Sequence, residues 1–313
     1  MWGLMAMTKN TEGFILAILG VLLLAPDVVI MRWISLAHSD VIFWRGIGFI
    51  IGFSSIVAYR YKSGFFIAIK NAGWTGVASG VLFGLGTYCY TASIQTIGAA
   101  STMIIISSSP VFAAIINWFF LKQKIHVFSI FAIFFVLLGI LFIAFSDINQ
   151  LGMGSLLALT TAIFMAINFN LAQSKSNVDI SPGLIWGGLL LTAIPLMTGI
   201  PDLEDTSIDV ILVLANAIFI MPLGFTLLQI APRFINATQT SVCLLLEPLV
   251  GPVLVFLILN EKPNNPTLIG CVVIFVAIVF YIYNESSIQK KSVQQGLHEV
   301  SNDPKKMTIK AVK

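Results

Sequence analysis

The chain has 313 residues, of which 58% are hydrophobic and 10% charged, with 17 Lys+Arg against 14 Asp+Glu and a mean hydropathy of +0.96. A soluble domain carries about a quarter charged residues, and nine of the charges here fall in the last 29 positions. No water-facing shell can be assembled from the rest, so a soluble enzyme is excluded and most of the surface must face lipid. The net charge of +3 is too small and too scattered to point to nucleic acid.

A helix needs about 20 apolar residues to cross the hydrocarbon core. Reading between polar and Gly/Pro breaks predicts ten such segments, at 13–33, 40–59, 73–92, 99–120, 127–145, 153–173, 183–200, 208–228, 236–259 and 266–284. They are called segments 1 to 10 below. Lys9 before an apolar run imitates a secretory leader, but Leu24-Ala25-Pro26-Asp27 is a poor cleavage site, so the run is read as the first helix. The fold class is therefore all-α integral membrane. Residues 1–12 form a short N-terminus, and 285–313 form a polar, lysine-rich, disordered tail.

Basic residues set the orientation. With the N-terminus inside, the cytoplasmic side collects 14 of them, including Lys9, Arg60, Lys62, Lys175 and Arg233, against Arg32, Arg45 and Lys262 elsewhere. The acidic loop holding Asp202, Glu204, Asp205 and Asp209 falls outside. Both termini are then cytoplasmic, in keeping with an even number of crossings.

The chain also repeats itself. Laying Ala99–Lys124 on Ala237–Lys262, an offset of 138 residues, matches Ala99/Ala237, Thr102/Thr240, Pro110/Pro248, Leu121/Leu259 and Lys124/Lys262. The match puts segment 4 on segment 9, five helices apart. Because five is odd, the halves 13–146 and 147–284 must insert with opposite orientation. Inverted repeats are a carrier architecture, with the substrate site near the midplane between them.

On the Gly13-Phe14-Ile15-Leu16 entry, the Trp44-Arg45 pair opening segment 2, and Leu246-Glu247-Pro248 with Asn260-Glu261-Lys262 closing segment 9, the chain resembles the drug/metabolite transporter superfamily and its EamA branch. The resemblance covers about residues 12–284. It implies ten helices in two inverted five-helix halves that carry amino acids or other small metabolites, commonly outward. Lys122-Gln123-Lys124 departs from the usual helix-ending Gly-Glu. The acid in segment 1 followed by the aromatic-Arg pair is also similar to bacterial members that take up S-adenosylmethionine.

Charges inside the membrane carry the sharpest signal, since each costs about 2.5–3.5 kcal/mol at a helix centre on insertion scales. Glu247 is twelfth of the 24 residues in segment 9, with Pro248 loosening the turn before it. It reads either as a substrate or proton carboxylate or as a structural tie between halves. Asp27, after Pro26, is expected to pair with Arg45 across segments 1 and 2. That pair is a structural tie, or a switch opened when substrate or a proton competes for Asp27. Arg45 can alternatively hold a substrate carboxylate, and Arg32 beside Trp33 reads as an interface anchor.

Gly76, Gly80 and Gly84 make a smooth ridge for close helix approach. Softer cavity candidates are Tyr88, Tyr90, Trp118, Trp186, Asn168, Asn170, Asn216 and Gln229, each of which packing alone would also explain. Ser107-Ser108-Ser109-Pro110 stands where the second half has Leu245-Leu246-Glu247-Pro248, with Pro110 and Pro248 as breaks and Ser109 opposite Glu247. Cys89, Cys243 and Cys271 lie in apolar stretches and read as packing residues, and His38, His126 and His298 are scattered, so neither a metal site nor a cofactor is expected. There is no phosphate-cradling G-x-x-x-x-G-K-[ST] loop, H-E-x-x-H or G-x-S-x-G, which argues against ATP drive and intramembrane enzymes. The expected partners are a small-molecule substrate and the bilayer, with protons as an open candidate for coupling and no obligate protein partner. The reading is a secondary carrier of the bacterial inner membrane working by alternating access. A channel or a scaffold without transport is the rival from another class.

Overall fold

The computed structural model describes residues 2–121, 134, 152–198, 208–259, 272 and 276. Apart from residues 134, 272 and 276, segments 5 and 10 lie outside these residues, as does the C-terminal tail. All the described elements are helical. Among the described residues, five stretches are long and apolar enough to cross a membrane, and Ser109–Phe120 and Ser181–Met197 add shorter apolar helices.

Several segments are divided where the chain chemistry weakens a helix. Segment 1 is two helices, Trp2–Leu24 and Pro26–Trp33. Pro26 opens the second, at a position where its missing N–H would be unpaired in any case. The first helix reaches back to Trp2, so the expected N-terminal extension of 1–12 is mostly helical. Segment 2, His38–Tyr61, ends where Lys62 takes a positive φ of 48°. Segment 3 lies in a 33-residue helix, Phe65–Ile97, which kinks at Gly73 (φ 54°), a left-handed conformation that costs glycine little.

Segment 4 breaks into Ala99–Ile106 and Ser109–Leu121 around a turn at Ser107-Ser108. Segment 6 is the unbroken helix Met153–Ser174, and segment 7 is Leu184–Thr198. Segment 8 runs Ile208–Ala215, a π-helical turn at Asn216–Ile220, then Met221–Ile230. Segment 9 runs Ala237–Cys243, a tight turn at Leu244–Leu246, then Glu247–Leu259. Its start is fixed by a capping box, in which Asn236 accepts from the Gln239 amide and Gln239 from the Asn236 amide.

Packing runs mainly between halves. Segment 1 lies on 8 and 9, 2 on 7 and 8, 3 on 6 and 7, and 4 on 9 and 6. Exchanging the halves (1 with 6, 2 with 7, 3 with 8, 4 with 9) returns the same set of pairs. One end of the molecule gathers the segment 1–2 connection, the end of segment 3 and the starts of segments 6 and 8. There Ser35 donates through its amide and hydroxyl to Asp209 (2.9 and 3.0 Å), and Ser93 donates to the Gly154 carbonyl (2.9 Å). Segment 6 thus begins at the end where segment 1 finishes.

The opposite end is tied by Asp179, which pairs with Arg60 (2.8 Å) and accepts from Tyr61 (2.7 Å) and the Ser181 amide (2.9 Å). Burial opposes the Asp179 charge, but the bonds from Tyr61 and Ser181 and the Arg60 guanidinium outweigh it and hold its pKa below the ordinary 3.8. A depressed carboxylate pKa stabilises the fold above the unfolded value and stops doing so as pH falls through the folded one. Asp179→Asn is therefore expected to lower the melting temperature at pH 7. In thermal denaturation the difference from the parent should fade as pH falls through the lowered pKa of Asp179.

The glycine ridge of segment 3 meets segment 7 backbone to backbone. A Cβ on Gly84 would lie 2.9 Å from the Gly187 carbonyl, and one on Gly80 would overlap the Gly183 carbonyl. Rigid backbone on both sides cannot yield, so Gly80→Leu is expected to cost at least the upper end of the ~1–3 kcal/mol typical of overpacking. Loss of monodisperse folded protein on size exclusion would record it. The core draws on both halves, and its centre is the ring cluster Phe49, Phe53, Phe83 and Phe225, with centroids 4.7–5.6 Å apart.

Candidate functional site

Two corresponding segments, 4 and 9, lose regular helix at matching places, Ser107-Ser108 and Leu244–Leu246. In membrane carriers, interrupted helices in equivalent positions of the two halves mark the substrate site. A cavity of about 650 Å³ opens beside these breaks, between Leu24 and Asp27 of segment 1, Phe83, Thr87 and Tyr90 of segment 3, and Ile106 of segment 4. Thr161, Phe164, Met165, Asn168 and Phe169 of segment 6, Met221 and Phe225 of segment 8, and Glu247 complete the wall. A second hollow of about 260 Å³ shares Tyr90, Ile106 and Glu247 and adds Met103, Ser107, Leu244 and Pro248. Glu247 and Tyr90 stand between the two.

Asp27 and Arg45 form an ion pair that is nearly sealed from solvent, at 1% and 0% exposure. A buried pair leans on hydrogen bonds to its remaining donors and acceptors, and here all but Arg45 Nε of the guanidinium nitrogens are met among the described residues. The π-helical turn of segment 8 delivers the Asn216 amide to Asp27 Oδ1, Tyr90 donates to Asp27 Oδ2 (3.3 Å), and Arg45 Nη1 donates to the Thr91 hydroxyl (3.2 Å). Four segments therefore converge on one carboxylate. Arg45 sits behind Asp27 and does not line either hollow.

Asn168 belongs to a second polar cluster. Ser79 donates to its Oδ1 (2.7 Å), Asn168 donates to Gln229 Oε1 (2.9 Å), and Gln229 donates back to Ser79 (2.8 Å). This closed ring joins segments 3, 6 and 8 at the cavity wall, and satisfying every member in a low dielectric makes it a rigid tie.

Glu247 differs from both. It opens the helix Glu247–Leu259, with Pro248 at the next position, so its charge faces the positive end of the helix dipole. Among the described residues it accepts no hydrogen bond and has no basic partner.

The other sequence candidates lie off the cavity. Tyr88 packs edge-on against His38, with centroids 5.1 Å apart. Trp186 and Trp118 are turned outward, 41% and 58% exposed, Trp186 because segment 7 presents its glycines to the segment 3 ridge. Ser109 is buried with its hydroxyl unpartnered among the described residues, and it is Ser107, two positions earlier, that reaches the smaller hollow. Asn170 donates to the Ala113 and Ala166 carbonyls (3.2 and 2.9 Å). The side chain of Arg32 lies outside the described residues, and Trp33 beside it is exposed.

Ser79, Thr87, Thr91 and Thr161 were not singled out by sequence. The first, second and third share one face of segment 3 at spacings of eight and four, a polar stripe inside an apolar helix that would have marked the cavity-facing side.

The model of the EamA-like transporter family matches residues 11–145 and 152–283. The chain belongs to the EamA-like transporter family. It carries two EamA domains, so its halves are duplicated, and it is a multi-pass membrane transporter, not an enzyme. This EamA protein also matches 28 solved chains. One, titled "Crystal structure of protein", is 12% identical, with a TM-score of 0.67 over 87% of this chain and 97% of that one. At that identity the likeness shows the fold alone. None of the curated proteins compared with the chain matches it.

Proposed function

We infer that this EamA protein is a secondary carrier for a small organic metabolite, built of ten helices in two inverted halves, 13–146 and 147–284. It works in the bacterial inner membrane with both termini cytoplasmic. The halves rock about the glycine-faced contact of segments 3 and 7, exposing the cavity to each side in turn. Amino acids and related compounds are the class the resemblance implies, and export is the direction.

One observation carries this reading. Glu247 is a membrane-depth carboxylate without a counter-charge among the described residues, at a break matched in the other half, facing a largely apolar cavity. Charges at that depth persist when something in their pathway pairs with them. Asp27 has Arg45; the partner of Glu247 is the cargo, or a proton in its absence.

Reconstitution into proteoliposomes tests the assignment. A carrier gives saturable flux, and labelled solute is drawn in against a trans load of unlabelled solute. Flux that rises linearly with concentration would mean a channel, and no flux of any solute would mean a scaffold.

A further inference from the structure

The hydrogen-bonding groups around the cavity have a common direction that narrows the cargo, given the carrier reading above. Consider first which donors are free. The Tyr90 hydroxyl gives its proton to Asp27. Ser107 gives its proton to the Met103 carbonyl (2.9 Å), and Thr161 to the Gly86 and Leu157 carbonyls. The Asn168 amide gives one of its two N–H groups to Gln229. No basic side chain lines either hollow among the described residues, and Arg45, whose Nη atoms face Asp27 and Thr91, lies behind the wall. Thr87 is the one lining hydroxyl for which no donation is recorded among the described residues.

Free acceptors are plentiful by comparison. The smaller hollow brings together the Glu247 carboxylate, the Tyr90 hydroxyl oxygen and the Ser107 hydroxyl oxygen. All three keep lone pairs after their own protons are spent. A primary ammonium offers three N–H donors and one positive charge, which matches three acceptors and one uncompensated carboxylate. The larger hollow is walled by Phe83, Phe164, Phe169, Phe225, Met165 and Met221. It suits an aromatic or aliphatic body, and its ring faces also favour a nearby cation.

We propose that the cargo is a primary organic amine without a carboxylate, its ammonium held by Glu247, Tyr90 and Ser107 and its apolar body in the larger hollow. Among the described residues, an amino acid's carboxylate would find one free hydroxyl, one N–H of Asn168 and no cation. Leaving it so costs more than the amine gains from the same contacts. The cavity therefore selects the amine counterpart of an amino acid over the amino acid.

The test uses the full chain in proteoliposomes and four solutes with one aromatic body: phenylethylamine, phenylalanine, phenylpropionate and phenylethyl-trimethylammonium. Phenylethylamine is expected to give saturable, counterflow-competent flux. Phenylalanine should be weaker by about tenfold or more, and phenylpropionate inert. The quaternary compound, charged but without N–H donors, should bind more weakly than the primary amine. Ser107→Ala should raise the half-saturating concentration of the primary amine and leave that of the quaternary one unchanged, in protein whose melting temperature matches the parent. Phenylalanine moving as well as the amine, or better, would overturn the proposal and leave the carrier reading intact. So would inertness of all four while another solute shows saturable flux. Absence of saturable flux for any solute in a broad panel would remove both.

Discussion

Glu247→Gln is expected to leave the protein folded and to reduce cargo flux by two orders of magnitude or more. The substitution keeps the shape of the side chain and its place at the start of the helix Glu247–Leu259. What it removes is one negative charge, and with it the counter-charge that a buried ammonium requires. Breaking a buried pair by losing one partner costs about 3–5 kcal/mol, which at about 1.4 kcal/mol per tenfold is a factor of about a hundred to a few thousand. Because Glu247 has no described partner, its neutralisation strands nothing in the empty protein, and the melting temperature should hold or rise. Purified variant assayed for stability and for counterflow separates the two effects. Full counterflow by the Gln variant would remove Glu247 from the mechanism.

Arg45→Met is the second large effect, and it falls on folding. Arg45 is fully buried, and Asp27 leans on it together with Asn216 and Tyr90. Taking away the guanidinium leaves a sealed carboxylate with only neutral donors, again a loss of about 3–5 kcal/mol. Adding Asp27→Asn to it should restore most of the lost stability, because both charges are then absent. Transport by the double variant separates two roles for the pair. Asp27 reaches the cavity wall, so the expectation is a stable protein with impaired flux, as for a switch. Full flux would make the pair a structural tie.

The positions of segments were legible because lipid demands long apolar runs, and proline and glycine punctuate them. Helices start at Pro26 and at Glu247, just before Pro248, within segments 1 and 9, which the sequence predicts as single runs. Side-chain direction was far less legible. In water a buried face is apolar and an exposed face polar, but in lipid both are apolar, so the pattern that would have turned Trp186 outward and Phe83 inward is absent from the letters. The charged residues escaped this ambiguity, since burying an unpaired charge is costly in any orientation. That is why Asp27, Arg45 and Glu247 could be singled out. The π-helical turn at Asn216 has no strong local signature: its polar partner is Asp27 of segment 1, which is information held by tertiary packing. The break at Ser107-Ser108 is held within its own segment, by the Met103 and Ile105 carbonyls. The kink at Gly73 was likewise hidden, because glycines in membrane helices more often serve close approach, as Gly76, Gly80 and Gly84 do.

Each described segment of one half finds its principal neighbours in the other. Neither half is a unit that can mature by itself. Made alone, the first would present its bare glycine stripe and the buried Arg45 to lipid, and quality control would meet it as an orphan. Cut between segments 5 and 6 and produced as two polypeptides, the protein should accumulate only when both pieces are synthesised together. A duplication that began as two separable copies has, in this chain, become an obligate partnership between its own ends.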